Sequence, residues 1–564
     1  MTTPATVRDA LRARTEIALL DVRQEGPFAE GHPLFAASFP LGRLEALAYE
    51  RLPRRSVPVV VYGDTDGDAE AAVRRLRWLG YGNVSVLAGG LAGWAAAGGE
   101  LFRDVNAPSK AFGELVAATA VTPSLSAEEV AAMLRGAGSP GSGAGSPSSS
   151  SSSGGSVVVV DARRFDEYAV MSIPTATSVP GAELVLRVPE LAPDPATTVI
   201  VNCAGRTRSI IGTQSLINAG LPNPVAALRN GTIGWTLAGL ELDHGQARGL
   251  PGVSAETSRQ AEATAWGVAE RVGVRRVGAA ELRSLDDRGR TIYRFDVRTP
   301  QEYESGHLPG FRPAPGGQLV QETDWFAPVR GALVVLADDG AGRAAMTASW
   351  LAQMGWDVVV AAAGEAVAGA AHPDAARRLT PGAWLPDRPP TPDVPLAAPD
   401  VVAGWLRAGQ ARVVDVDTSR RFLAGHVPGA AWALRTELRH PDFADRLGRP
   451  ERVVLTSSDG YLAAWAADDL GLGLGADASP GVGAGPVAVL AGGTEAWARS
   501  GRTLASGHID GAMLSPAVDV YHRPYEGTGV DPAVMQAYLD WEHGLVAQLG
   551  RDGTHGFTVL LPDR

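Results

Sequence analysis

The stretch Val199–Ser209, VIVNCAGRTRS, decides how this chain is read. Three β-branched apolar residues and Asn202 lead into Cys203, the only cysteine of 564 residues, and Arg206 and Arg208 follow before a helix-like segment from Ile210 to Ala219. β-Branched runs favour strands, so the thiol falls at a turn from a strand into a helix. A cysteine placed there beside two cations is a candidate nucleophile. A free cysteine is by itself more often a small buried hydrophobe, so its meaning rests on the rest of the chain.

The rest of the chain is a repeat. Four segments end an apolar run in an aspartate: LLDVR (Asp21), VVDAR (Asp161), RFDVR (Asp296) and VVDVD (Asp415). Seven residues after each stands an aromatic, Phe28, Tyr168, Tyr303 or Phe422. Eleven after come His32, His307 and His426, each preceded by glycine, and thirteen after come Pro174, Pro309 and Pro428; the second copy has Ser172 and the first has Leu34 instead. Forty-two residues after each aspartate lie Gly63, Cys203, Asp338 and Ser457, each shortly after another apolar run. One copy in four carries a thiol.

Domains of roughly 100 to 140 residues follow, within the usual range. We expect module 1 over residues 1–105, module 2 over 120–247, module 3 over 268–382, module 4 over 393–505 and a tail over 506–564. Short Val/Ile/Leu runs alternate with Ala/Leu/Arg-rich segments such as Ala69–Leu79, which predicts strands alternating with helices and a mainly parallel sheet. Continuous apolar runs such as Val157–Val160 suit strands covered on both faces. The expected fold class is therefore α/β, four tandem α/β/α domains with helices on both faces of each sheet.

These features together resemble the rhodanese (sulfurtransferase) family, in a tandem arrangement of four modules spanning nearly the whole chain. The resemblance rests on the Asp-x-Arg strand end, the Gly-His-x-Pro-Gly turn (Gly306–Gly310 and Gly425–Gly429) and the loop opening at Cys203. It rests also on LAGGLAGW ending at Trp94, LRNGTIGW ending at Trp235 and AGGTEAW ending at Trp497. The resemblance implies sulfur transfer through a Cys203 persulfide, with Ala204, Gly205, Arg206, Thr207, Arg208 and Ser209 as the loop that holds substrate and persulfide. It also implies a noncatalytic module paired with each active one, so that module 1 frames the site in module 2 while modules 3 and 4 form a second, inactive pair.

The chemistry agrees with the loop. A short turn into a helix N-terminus aims backbone N–H groups inward and forms a cradle for an anion. That field, with Arg206 and Arg208 nearby, predicts a lowered thiol pKa and a nucleophilic thiolate. Cysteine-dependent phosphatases place five residues between cysteine and arginine to surround a phosphate. Here that position is Ser209, and the shorter loop favours sulfur over phosphate chemistry. Module 2 also reads Leu228-Arg229-Asn230-Gly231 where modules 1 and 4 read Leu-Ala-Gly-Gly, which sets Arg229 and Asn230 as an added cation and amide beside the thiol, unless Arg229 is simply solvated. Asp161 and Arg163 recur as Asp21 with Arg23 and Asp296 with Arg298, so they are expected to hold strand ends.

CAGRTR matches neither the arginine-lysine loop usual for thiosulfate enzymes nor the glycine-serine loop usual for mercaptopyruvate enzymes. Two arginines favour a doubly anionic donor such as thiosulfate, with a thiol or cyanide as acceptor. A protein-fed persulfide carrier or scaffold with noncatalytic modules and 3-mercaptopyruvate chemistry are the alternatives, and a protein is a further candidate sulfur acceptor. The corresponding loops GDTDGD (Gly63–Asp68), DDGAGR (Asp338–Arg343) and SSDGYL from Ser457 lack a thiol, and the first two are acidic.

No cofactor is expected, and one cysteine excludes a thiolate zinc site. A net charge of −12 without a long basic run disfavours nucleic acid as a partner. Neither a signal-like start nor an apolar run of about 18 residues is present, so no membrane partner and a cytoplasmic location are expected. The Ser/Gly-rich segment 139–156 reads as a disordered insertion, and Gly471–Pro486 as a similar one. In the tail, Pro532–Leu549 predicts a helix whose Tyr538, Trp541 and Leu545 form a stripe expected to dock on module 4.

Overall fold

The computed structural model describes residues 1–136, 156–285, 289–362, 379–471, 486–508, 511–527 and 529–561. The insertions expected over 139–156 and 471–486 fall outside these residues except at their ends. Among the described residues, no helix is long and apolar enough to cross a membrane.

The apolar runs become buried strands. Module 1 contains β1 (Ile17–Asp21), β2 (Ala36–Ser38), β3 (Val59–Tyr62) and β4 (Val84–Val86), and module 2 contains β5 (Ser124–Leu125), β6 (Val157–Asp161), β7 (Thr177–Ser178), β8 (Thr198–Asn202) and β9 (Val225–Leu228). Module 3 follows with β10 (Arg275–Val277), β11 (Ile292–Asp296), β12 (Arg312–Pro313), β13 (Val329–Arg330), β14 (Leu333–Ala337) and β15 (Asp357–Ala361). Module 4 has β16 (Leu396–Ala397), β17 (Arg412–Asp415), β18 (Ala431–Trp432), β19 (Val453–Thr456) and β20 (Val487–Leu490). The second sheet runs β5-β9-β8-β6-β7, the third β10-β15-β14-β11-β12 and the fourth β16-β20-β19-β17-β18, one order repeated with all pairs parallel. Sheet 1 departs at one edge, where β13 of module 3 pairs antiparallel with Ile17 and Ala18 of β1.

The repeat register has a packing cause. The aromatic at position seven and the histidine at position eleven stack: Phe28 on His32 at 3.9 Å, Tyr303 on His307 at 3.8 Å and Phe422 on His426 at 4.1 Å. These histidines are buried, packed parts of the fold. The tryptophans that close each motif donate from Nε1 to a carbonyl six residues on, Trp94 to Glu100, Trp235 to Glu241 and Trp497 to Thr503. Asp161 takes a bidentate pair from Arg163, whose Nη2 also donates to Met171 O at 2.6 Å, and Asp21–Arg23 and Asp296–Arg298 repeat the arrangement.

The modules do not pair in the expected order. Module 1 faces module 4: Arg435 Nη1 lies 2.7 Å from Glu45 Oε2, and Arg75 Nη2 lies 2.6 Å from Asp469 Oδ1. Module 2 faces module 3: Arg343 Nη1 lies 2.9 Å from Glu183 Oε1, and Trp350 Nε1 donates to Ser215 Oγ at 2.9 Å. Glu45, Glu183 and Arg435 lie in the turn 20 to 24 residues past the repeat aspartate, whereas Arg343 opens the helix Arg343–Gln353 after the module 3 loop equivalent to the cysteine loop. Buried charges tolerate only opposite partners, and both interfaces match cation to carboxylate, while module 1 also meets module 3 through β1–β13 and through Arg312 Nη1, 3.2 Å from Glu50 Oε1.

The tail is also placed differently. It touches module 4, where Asp519 Oδ2 accepts from Ser419 N at 2.7 Å, and then leaves it. Two helices, Pro532–His543 and Leu545–Asp552, are broken at Gly544 where one was expected. The first covers the cysteine loop of module 2: Tyr525, Met535, Tyr538 and Leu539 form one buried apolar cluster with Ala204 and Ile233. The second packs on a helix spanning Ala107–Ala120, the link between modules 1 and 2.

Candidate active site

The cysteine loop leaves the carboxyl end of β8, the central strand of its sheet, and enters the helix Thr207–Asn218. In open α/β sheets such a strand end is where ligands bind. The turn after β9 holds the loop from beneath. Gly231 sits beneath it at φ 55°, and Thr232 N and Ile233 N donate to Cys203 O at 2.9 Å and Ala204 O at 3.0 Å. A Cβ at Gly231 would stand 2.2 Å from Cys203 O, so only glycine lets the two backbones meet. Module 4 repeats the construction, since a Cβ at Gly493 would stand 2.2 Å from Ser457 O.

Cys203 is buried, its Sγ 3.4 Å from Ser209 Oγ, which itself donates to Arg206 O at 2.8 Å. Among the described residues nothing accepts from the backbone N–H groups of Ala204, Gly205 or Arg206, so the loop presents unpaired donors as an anion cradle would. Thr207 is buried at the start of the helix.

The arginines differ from the expected bare cations. Arg206 Nε and Nη2 donate to Glu114 of the linking helix at 2.6 and 2.8 Å, and its Nη1 donates to Asn230 Oδ1 at 3.2 Å. Arg208 donates to both oxygens of Glu167 at 2.8 Å. The Arg208 guanidinium and its hydrogen bonds pull the Glu167 carboxyl down to about 2 against the opposing effect of burial. With both cations matched by carboxylates, burial dominates at the thiol. Desolvation raises the Cys203 pKa; Arg208 and the Ser209 hydrogen bonds lower it, and the carboxylate of Glu542 adds to the rise. The expected lowering is thus reversed.

Arg229 is exposed, its guanidinium bonded to Ser124 Oγ and O on β5 at 3.3 Å, and the strongest cation acting on the thiol is Arg208. Asn230 does reach the loop, through Arg206. Asp161 and Arg163, both buried, tie strand ends together, and Asn202 Nδ2 next to the cysteine donates to Asp161 Oδ2 at 2.7 Å. Module 1 proper does not frame the thiol; the linking helix does, through Glu114. Glu114, Glu167 and Glu542 were missed in the sequence, and Tyr538 was read only as part of a stripe docking on module 4. The one local signal was the four-residue spacing of Tyr538 and Glu542 on the tail helix face.

A model of the rhodanese-like domain matches residues 3–97, 149–238 and 278–365. Among solved structures, thiosulfate sulfurtransferase from Pseudomonas aeruginosa is 52% identical, covers 99% of this chain and 99% of its own, and superposes with a TM-score of 0.90. The chain belongs to the rhodanese family. It is a rhodanese-type transferase built of repeated modules, and the fourth sheet shares the strand order of the second and third. A solved structure of the Alr3790 protein of Anabaena sp. is 31% identical over 18% of this rhodanese and 93% of its own chain, with a TM-score of 0.18. No curated protein matches.

Proposed function

We propose that this rhodanese moves a sulfane sulfur from thiosulfate to a nucleophilic acceptor through a persulfide on Cys203. The observation that carries the reading is the chain's only thiol held at the end of β8 beside unpaired loop amides, with Arg208 as the strongest cation acting on it. The similarity to a thiosulfate sulfurtransferase supports the donor. The Cys203 thiolate attacks the outer sulfur of thiosulfate, the S–S bond of the donor breaks, and sulfite leaves with the bonding pair. The loop amides stabilise the terminal persulfide anion, and cyanide or a thiolate then attacks that sulfur and restores the Cys203 thiolate. Modules 1, 3 and 4, with Gly63, Asp338 and Ser457 at the corresponding position, act as scaffold. The buried setting of Cys203 favours a small donor over a protein one.

Thiocyanate formation from cyanide, with thiosulfate or with 3-mercaptopyruvate as donor, tests the reading. Turnover with thiosulfate, ping-pong kinetics and loss of activity in Cys203→Ser are expected. Preference for 3-mercaptopyruvate would move the donor assignment, and activity surviving Cys203→Ser would overturn the mechanism.

A further inference from the structure

The tail helix brings a carboxyl to the cysteine loop that the reaction as written does not use. A methyl group built at Gly205 would stand 3.3 Å from Glu542 Oε2 and 3.3 Å from Tyr538 Cε1, so the carboxyl lies directly on the loop. Glu542 is 1% exposed. Its Oε1 accepts from Tyr538 Oη at 2.9 Å, while Oε2, on the loop side, is buried without a hydrogen-bond partner. A buried, half-satisfied carboxyl is costly to keep, and such groups concentrate where a proton must be handled.

We propose that Glu542 is the proton acceptor for the Cys203 thiol. The inference rests on the persulfide reading above. The thiol of Cys203, 1% exposed, must lose its proton before it attacks. Ionised Glu542 takes that proton and becomes neutral as the thiolate forms, so the negative charge moves to sulfur instead of doubling beside the incoming dianion. In balance, Cys203–SH, Glu542 carboxylate and thiosulfate dianion give Cys203 persulfide anion, Glu542 carboxylic acid and sulfite dianion. The donor S–S bond breaks as the new S–S bond forms, and the proton passes from Glu542 to the departing sulfite, regenerating the carboxylate.

The surroundings suit this exchange. Burial raises the Glu542 carboxyl to about 7, with Glu114 adding to the rise, while Lys110 and Arg206 and the Tyr538 hydroxyl oppose it. Lys110 is itself matched by Asp104 at 2.7 Å, and Tyr525 and Arg523 face the same group from the preceding tail segment. A base of pKa near the working pH transfers protons most effectively in both directions.

The test compares Glu542→Gln with wild type by the rate of persulfide loading from thiosulfate between pH 5.5 and 9, read by intact mass. Wild type should show a limb rising through a pKa of about 7 that Glu542→Gln lacks, with loading at pH 7.5 down about 100-fold, as general-base catalysis is typically worth. A purely electrostatic role predicts the reverse, because removing a nearby carboxylate favours the thiolate and speeds loading; equal or faster loading overturns the proposal. Should Glu542→Gln lose its thermal transition, Tyr538→Phe keeps the carboxyl but removes a bond to it. The limb then moves to higher pH, and an unmoved limb refutes the assignment. Alkylation of Cys203 by iodoacetamide, a neutral electrophile, reads the same proton transfer without a sulfur donor. A Glu542-dependent alkylation limb in protein that accepts no sulfur would sink the donor reading and leave this one standing.

Discussion

Gly231→Ala separates loop placement from overall stability. The residue sits at φ 55°, where an added Cβ costs about 1–2 kcal/mol of backbone strain. That Cβ would also stand 2.2 Å from Cys203 O, 2.8 Å from Gly205 O and 2.9 Å from Ala204 C. Ordinary contact needs roughly 1 Å more, and the obstructing atoms are backbone, so the cysteine loop itself must shift by about that much. Displacing a reacting group by ~1 Å can cost on the order of 100-fold in rate. We therefore expect persulfide loading to fall about 100-fold while stability falls by about 2–4 kcal/mol, leaving most molecules folded. The control is Gly220→Ala, at φ 74° with nothing within 4 Å of its added Cβ, which carries the strain alone. It should lose about 1–2 kcal/mol and load at the wild-type rate. Stopped time points of intact mass, paired with chemical denaturation, read both quantities. Equal loading by Gly231→Ala and wild type would refute the claim that the loop's position governs the chemistry.

Arg208→Met removes the cation that most favours the Cys203 thiolate, so iodoacetamide alkylation should slow and its midpoint move to higher pH. The same change acts on Glu167. Its folded pKa of about 2 lies below the unfolded value of about 4.3, so its contribution to stability is complete above that value and is lost as pH falls through the window; the mutant's acid denaturation should be shallower there. Asp415 has the opposite sign. Its module has Asp417 where the others place the arginine partner, and burial pushes Asp415 up to about 7. The folded state then binds the extra proton and stability falls as pH rises from about 4 to 7, so Asp415→Asn should be near neutral at pH 4 and stabilise by on the order of 2 kcal/mol or more at pH 8 by urea denaturation. Arg343→Met strips the buried cation from Glu183, Glu302 and Asp339 between modules 2 and 3, and should cost about 3 kcal/mol by the same assay.

The fold was legible because its signals are local. The repeat aspartate, the aromatic at seven and the histidine at eleven lie within one strand-turn-helix unit, and their stacking and backbone bonds form inside it. The cysteine loop was legible for the same reason, as a strand end followed by small residues and a helix. What surrounds the loop was not, because it is assembled over long sequence distances. Arg206 finds Glu114, 92 residues away, and Arg208 finds Glu167, 41 away. Those pairs, with the tail folded over the loop, leave a buried thiol whose pKa is raised where a lowered one was expected. The module pairing was hidden too, since Glu45, Arg435 and Glu183 in their turns and Arg343 at a helix start find each other only when the modules meet. Arg229 shows the converse: its position beside the loop motif suggested a role, but its side chain follows the strand edge to Ser124.

The intact mass of the protein after thiosulfate, and again after cyanide, tests the central claim most directly, because Cys203 is the only thiol. The account predicts the gain of one sulfur, its removal by cyanide, and no gain in Cys203→Ser. An unchanged mass, or a gain that persists in Cys203→Ser, would contradict it.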